Sequence, residues 1–115
     1  MTELTTEEQL LKLPKCDVEL AGIEWLADGG LLLTLLLQGA DRRVARLSCS
    51  FASGLSIDLQ FKERTGGRPM TWDTAFTVTP NGGWHVVFDF AGAPRRVMEF
   101  DCSAIHLEYV GSHNA

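Results

Sequence analysis

The stretch GGRPMTWDTAF, residues 66–76, gathers Gly66, Gly67, Arg68, Pro69, Trp72 and Asp73 within eight positions. It reads either as a turn with an aromatic anchor or as part of a ligand surface. A phosphate-cradling loop is excluded, because no strand precedes the glycines and no helix follows them. On the structural reading, Trp72 plugs the end of the core and Asp73 accepts from backbone N–H groups in the turn. On the functional reading, Arg68, Trp72, Trp84 and Arg95 build the rim of a ligand site.

His85 is the histidine with a carboxylate in reach. If 84–90 pairs with 96–102 through a five-residue loop, Phe88 meets Met98, Val86 meets Phe100 and His85 stands opposite Asp101. Such a pair could orient an imidazole for general-base work. No nucleophile accompanies it. GxSxG is absent, and Cys49 and Cys102 fall on inward positions, where they are expected to be inert core residues. Asp89, Glu99 and Asp101 lie on a polar strand face, where solvated charges normally go, and no glycosidase-type carboxylate pair stands out. No catalytic residue is assigned.

Metal and disulfide chemistry are not expected either. Cys16, Cys49 and Cys102 form no CxxC, and His85, His106 and His113 have no zinc-like spacing. An odd cysteine count without framework spacing fits a reducing compartment. The first residues are acidic, unlike a secretory signal, and no apolar run is long enough to span a bilayer. The expectation is a cytoplasmic protein with no cofactor, no metal and no membrane contact.

The formal net charge of −5 is concentrated in residues 1–30, which hold seven acids against Lys12 and Lys15. An acidic chain without a basic stripe is a poor nucleic-acid binder. It favours a basic protein partner, since complementary charge speeds encounter.

The elements that must position these residues follow from periodicity. Thr5 and Glu8 form a capping box, Leu10, Leu11 and Leu13 follow, and Pro14 ends a short N-terminal helix over 1–14. From Cys16 the pattern changes to apolar runs at 17–26, 31–38, 44–51, 55–61, 74–79, 84–90 and 96–109, separated by turn signals. The fold expected is mainly β: a single domain over 1–115, with an antiparallel sandwich or partly open barrel of six to eight strands over 16–110. A core of this composition is filled by its own side chains, so a large cavity is not required.

Within it, 44–61 reads as a hairpin about Ala52-Ser53-Gly54, pairing Phe51 with Leu55, Cys49 with Ile57 and Leu47 with Leu59. The 96–109 run changes phase near Ser103-Ala104, which signals a bulge or a break into two strands. A loop centred on Asn81 sets Val78 opposite Trp84; a two-residue Asn81-Gly82 turn would set it opposite His85. Leu32 and Leu36 make the second face of 31–38 apolar, so that face needs cover. The N-terminal helix is the expected cover, with Leu35 paired to Leu47, and a weak homodimer is the alternative to a monomer.

These features converge on a non-enzymatic binding module acting through protein contacts. The alternative is a small-molecule-binding β-barrel or sandwich with the Arg68, Trp72, Trp84 and Arg95 rim as its site.

Overall fold

The computed structural model describes residues 6–14, 18–38, 43–59, 70–90 and 96–112, without the side chains of Leu59, Trp72, Arg96 and Ser112. Within them, α1 (Thr6–Lys12) precedes eight strands. These are β1 (Val18–Trp25), β2 (Leu31–Leu37), β3 (Arg43–Ser50), β4 (Ser53–Leu59), β5 (Thr71–Val78), β6 (Trp84–Phe90), β7 (Arg96–Cys102) and β8 (Ala104–Ser112). Two antiparallel four-stranded sheets result: sheet A in the order β1-β2-β3-β8 and sheet B in the order β4-β7-β6-β5. The mainly-β expectation holds, and a closed barrel does not form among the described residues.

The expected hairpin over 44–61 does not exist. β3 pairs with β8 and β4 pairs with β7, so consecutive strands lie in different sheets. The pairing is continuous through the break: Ser50 faces Ala104 in sheet A, and Ser53 faces Asp101 in sheet B. Residues 43–59 and 96–112 therefore form one long antiparallel ribbon that folds over at its middle. Strands that switch sheets at a bend are how two crossed sheets share a corner. Phe51 makes the bend by adopting φ 51°, and its side chain is 72% exposed instead of facing Leu55. Ala52 N–H donates to Gly29 O (3.2 Å), and Ser103 N–H donates to Ser50 O (2.8 Å). Gly54 does have a positive φ (65°), but in a bulge of β4 against β7.

The break near Ser103-Ala104 is present, at the second strand of the same fold-over. The β2–β3 register also differs from expectation, with Leu33 opposite Leu47 and Leu35 opposite Ala45. A shift of two residues leaves every side chain on its face, so the apolar pattern could not detect it.

The helix does not cover Leu32 and Leu36. It lies against β8, two strands away from β2 in sheet A. Leu10 and Leu13, one turn apart, are 4% and 3% exposed and join the core, whereas Leu11 is 71% exposed. Burying each of the two is worth about 1.5–3 kcal/mol, which holds a seven-residue helix too short to persist alone. Leu32 sits between Glu24 and Ser48, and Leu36 between Glu19 and Val44. Both leucines are half-buried among these neighbours. Thr5 lies outside the described residues, but Glu7 and Glu8 in the first turn and Lys12 in the last suit the helix dipole.

Between the sheets, Phe88, Phe100, Leu31, Leu33, Leu35, Leu47, Met98 and Val86 are essentially fully buried. Phe76 packs edge-on to Phe88, with centroids 6.0 Å apart. One edge is stitched: Glu19 bridges Met70, and Val18 N–H donates to the buried Thr71 Oγ1 (3.1 Å).

Candidate functional site

The β5–β6 turn and the shared corner meet at one end of sheet B. The β5–β6 turn is closed by Thr79 N–H to Gly83 O (2.9 Å) and Gly82 N–H to Thr79 O (3.0 Å). The Thr79 hydroxyl donates to Asn81 Oδ1. Gly82 supplies φ 87°, a conformation that glycine adopts without strain. Gly83 is required for a different reason. A Cβ there would stand 2.6 Å from the Cys102 carbonyl oxygen, so the turn rests directly on the end of β7. Val78 faces Trp84, as the longer-loop reading expects.

Between this turn and the corner lies an open cleft of about 590 Å³. Phe51, Pro80 and Trp84 form its apolar wall, and Ser53, Asn81, Asp101 and Ser103 its polar wall. A smaller groove of about 220 Å³ runs between α1 and β5, with Leu10, Phe76 and Trp84 among its walls. Trp84 is half-buried, packs on the core and borders both cavities.

Two of the four expected rim residues fall within the described residues. Arg68 and Arg95 lie outside the described residues. Trp72 sits on β5 at a bulge between Thr71 and Asp73, close to the Thr71–Phe90 pair. Trp84 is at the other end of the same hairpin, some six residues or about 20 Å along the strand. Trp84 lines the cleft. Phe51, Ser53 and Ser103 were not foreseen there, because the fold-over that places them is invisible to local alternation. Asp73 does accept a backbone N–H, from Thr74 (2.9 Å).

The outer face of sheet B adjoins the cleft through Asp101. His85 stands opposite Asp101, as Phe88 does to Met98 and Val86 to Phe100, all in the expected register. His85 donates from Nδ1 to Asp101 Oδ1 (2.7 Å), and its Nε2 lies 3.5 Å from Glu99 Oε2. The imidazole is thus gripped from both nitrogens by partners that are 42–56% exposed. Ser53 faces Asp101 from the side away from His85. A hydroxyl nucleophile needs histidine between itself and the carboxylate, so this row has the wrong order for nucleophilic catalysis.

The same face carries a wider pattern. Asp58, Val97, Asp89 and Asp73 form one cross-strand row, and Ser56, Glu99, Val87 and Ala75 the next. With Asp101 this makes five carboxylates on one face, and no described lysine or arginine side chain shares it. Asp73 stands directly opposite Asp89, an arrangement that costs stability. Sheet A differs. There Arg46 is opposite Glu108, and the Arg43 guanidinium lies over the Tyr109 ring at 4.1 Å.

Cys49 and Cys102 are free and buried, as expected, but their thiols also hydrogen-bond to each other. Among the described residues, no group of three potential ligands could hold a metal ion, and no helix is long and apolar enough to cross a membrane. Comparison of the chain with protein-family models, with curated proteins and with solved structures finds no match.

Proposed function

We propose that this protein is a non-enzymatic binding module that recognises a basic protein partner through the outer face of sheet B. The observation that carries the reading is the row structure of that face. Five carboxylates are held at fixed strand spacing, two of them directly opposed, and the one imidazole among them is bound by two others. A sheet that keeps like charges side by side gives up stability. Such local costs are expected where a surface serves binding. An acidic face also attracts a cationic partner and repels nucleic acid. Cytoplasmic residence belongs to the same proposal.

Photo-crosslinking locates the surface. A crosslinker at Ala75, exposed on sheet B, is compared in native lysate with one at Ser48 on the outer face of sheet A. Adducts to one basic protein from position 75 alone support the proposal. Equal adducts from both positions, or adducts from position 48 alone, overturn it.

A second reading rests on the cleft beside Trp84. Its volume falls within the range of small-ligand sites, and Phe51, Pro80 and Trp84 offer an apolar wall. A ligand there would change Trp84 emission, and Trp84→Phe would abolish that change. A metabolite library that produces neither an emission change nor thermal stabilisation removes this reading.

A further inference from the structure

Cys49 lies near the end of β3 and Cys102 ends β7, so the two belong to different sheets. The fold-over brings them together. The residues that follow them, Ser50 and Ser103, share the 2.8 Å backbone bond at the corner. Both cysteine side chains turn inward, 1% and 5% exposed, and meet thiol to thiol. Cys102 also lines the cleft, which gives a small solute a route to one member of the pair. Cys49 stands behind it in the core.

We propose that Cys49 and Cys102 form a peroxide-sensitive dithiol that closes to a disulfide, bolting sheet A to sheet B at their common corner. The chemistry balances with hydrogen peroxide as the two-electron oxidant. Cys102 Sγ attacks one peroxide oxygen, the O–O bond breaks, and the departing hydroxide takes up a proton as water. Cys102 is then a sulfenic acid. Cys49 Sγ attacks that sulfur, the S–S bond forms and the S–O bond breaks. The hydroxyl leaves with the Cys49 proton as a second water. Two thiols and one peroxide become one disulfide and two waters.

The roles follow first from access, since Cys102 lines the cleft and Cys49 does not. The hydrogen bond from Cys49 favours the Cys102 thiolate and lowers the Cys102 pKa against the opposing effects of burial and of Asp101. The same partnership, with burial, pushes the Cys49 thiol well above the ordinary cysteine range. Cys102 is the attacking sulfur and Cys49 the resolving one. A peroxide is small enough for a residue only 5% exposed, whereas a bulky disulfide is not. The device is independent of what the acidic face binds.

The test exposes the folded, full-length protein to stoichiometric hydrogen peroxide, followed by intact mass and non-reducing peptide mapping. The expected product is lighter by two hydrogens, carries a Cys49–Cys102 cross-linked peptide and melts at a higher temperature than the reduced protein. Dithiothreitol reverses all three changes. In Cys49→Ala the reaction stops at a Cys102 sulfenic acid that dimedone traps, and in Cys102→Ala Cys49 stays unmodified. Cys49→Ser is the alternative should the alanine variant not fold. Two results overturn the proposal. One is survival of both thiols at a peroxide dose that oxidises a free cysteine peptide in the same tube. The other is a cross-link that joins Cys16 instead of Cys49 to Cys102.

Discussion

Ser103 donates its backbone N–H to the Ser50 carbonyl at 2.8 Å, and at that bond two paired strands leave one sheet for the other. The cleft and the Cys49–Cys102 pair are arranged around it. Phe51 bends away on one side, Asp101 and Cys102 lie on the other, and the cleft opens between this corner and the β5–β6 turn.

Phe51 holds a left-handed backbone with an exposed side chain, so the residue contributes strain and little burial. Left-handed backbone costs a residue with a Cβ roughly 1–2 kcal/mol, and more when it is β-branched. Phe51→Gly is expected to leave stability unchanged or to raise it slightly, while Phe51→Val lowers it by about 1–2 kcal/mol. Urea unfolding of both variants measures the difference. Equal stabilities would show that the corner does not need a left-handed residue.

Gly83 and Gly22 are both glycines near strands, but they face different neighbours. An added Cβ meets the Cys102 carbonyl oxygen at 2.6 Å from position 83, and only Thr34 side-chain atoms at 3.9 Å from position 22. Gly83→Ala is expected to lose about 1–3 kcal/mol by overpacking. Gly22→Ala is expected to be neutral or stabilising by up to about 1 kcal/mol. Thermal melts that rank the two the other way would contradict the close approach of the turn to β7.

Of two adjacent leucines in α1, one holds the helix to the core. Leu10→Ala is expected to cost about 2–5 kcal/mol, because a 4% exposed side chain leaves a cavity. Leu11→Ala, at a 71% exposed position, should stay within about 0.5 kcal/mol. Denaturant midpoints decide. Comparable losses at both positions would place the helix with a different face inward.

Turn chemistry made the β5–β6 and β6–β7 hairpins legible in the chain itself, with two registers left open at the Asn81 turn. Parity puts His85 on Asp101 and Phe88 on Met98, and of the two registers open at the Asn81 turn the longer loop, with Val78 on Trp84, is the one that forms. The β3–β4 segment reads as a hairpin because Leu47, Cys49, Leu55 and Ile57 alternate in the same way in a hairpin and in a strand bent over a shared core. What separates the two is the pairing of β3 with β8, 54 to 69 residues away, and no local pattern carries it. The cleft and the thiol pair inherit that blindness, since both exist only after the fold-over. The acidic face is similar. Asp58, Asp73 and Asp89 are about fifteen residues apart in sequence and become one row only through the registers.

The opposed pair Asp73 and Asp89 should trade stability for binding. Asp89→Asn removes a like-charge contact between directly facing strand residues, worth roughly 0.2–1 kcal/mol. The variant is expected to unfold at a slightly higher urea concentration and to bind the crosslinked partner more weakly. An unchanged affinity would remove Asp89 from the binding surface.

Titration calorimetry against the crosslinked partner compares two variants of equal net charge. One neutralises the outer face of sheet B with Asp58→Asn, Asp89→Asn, Glu99→Gln and Asp101→Asn. The other neutralises four acids elsewhere with Glu7→Gln, Glu8→Gln, Glu24→Gln and Glu108→Gln. The first is expected to lose affinity at least tenfold, about 1.4 kcal/mol, and the second to bind like the unmodified protein. Equal losses in the two variants would mean that net charge alone, and not this face of the sheet, drives the association.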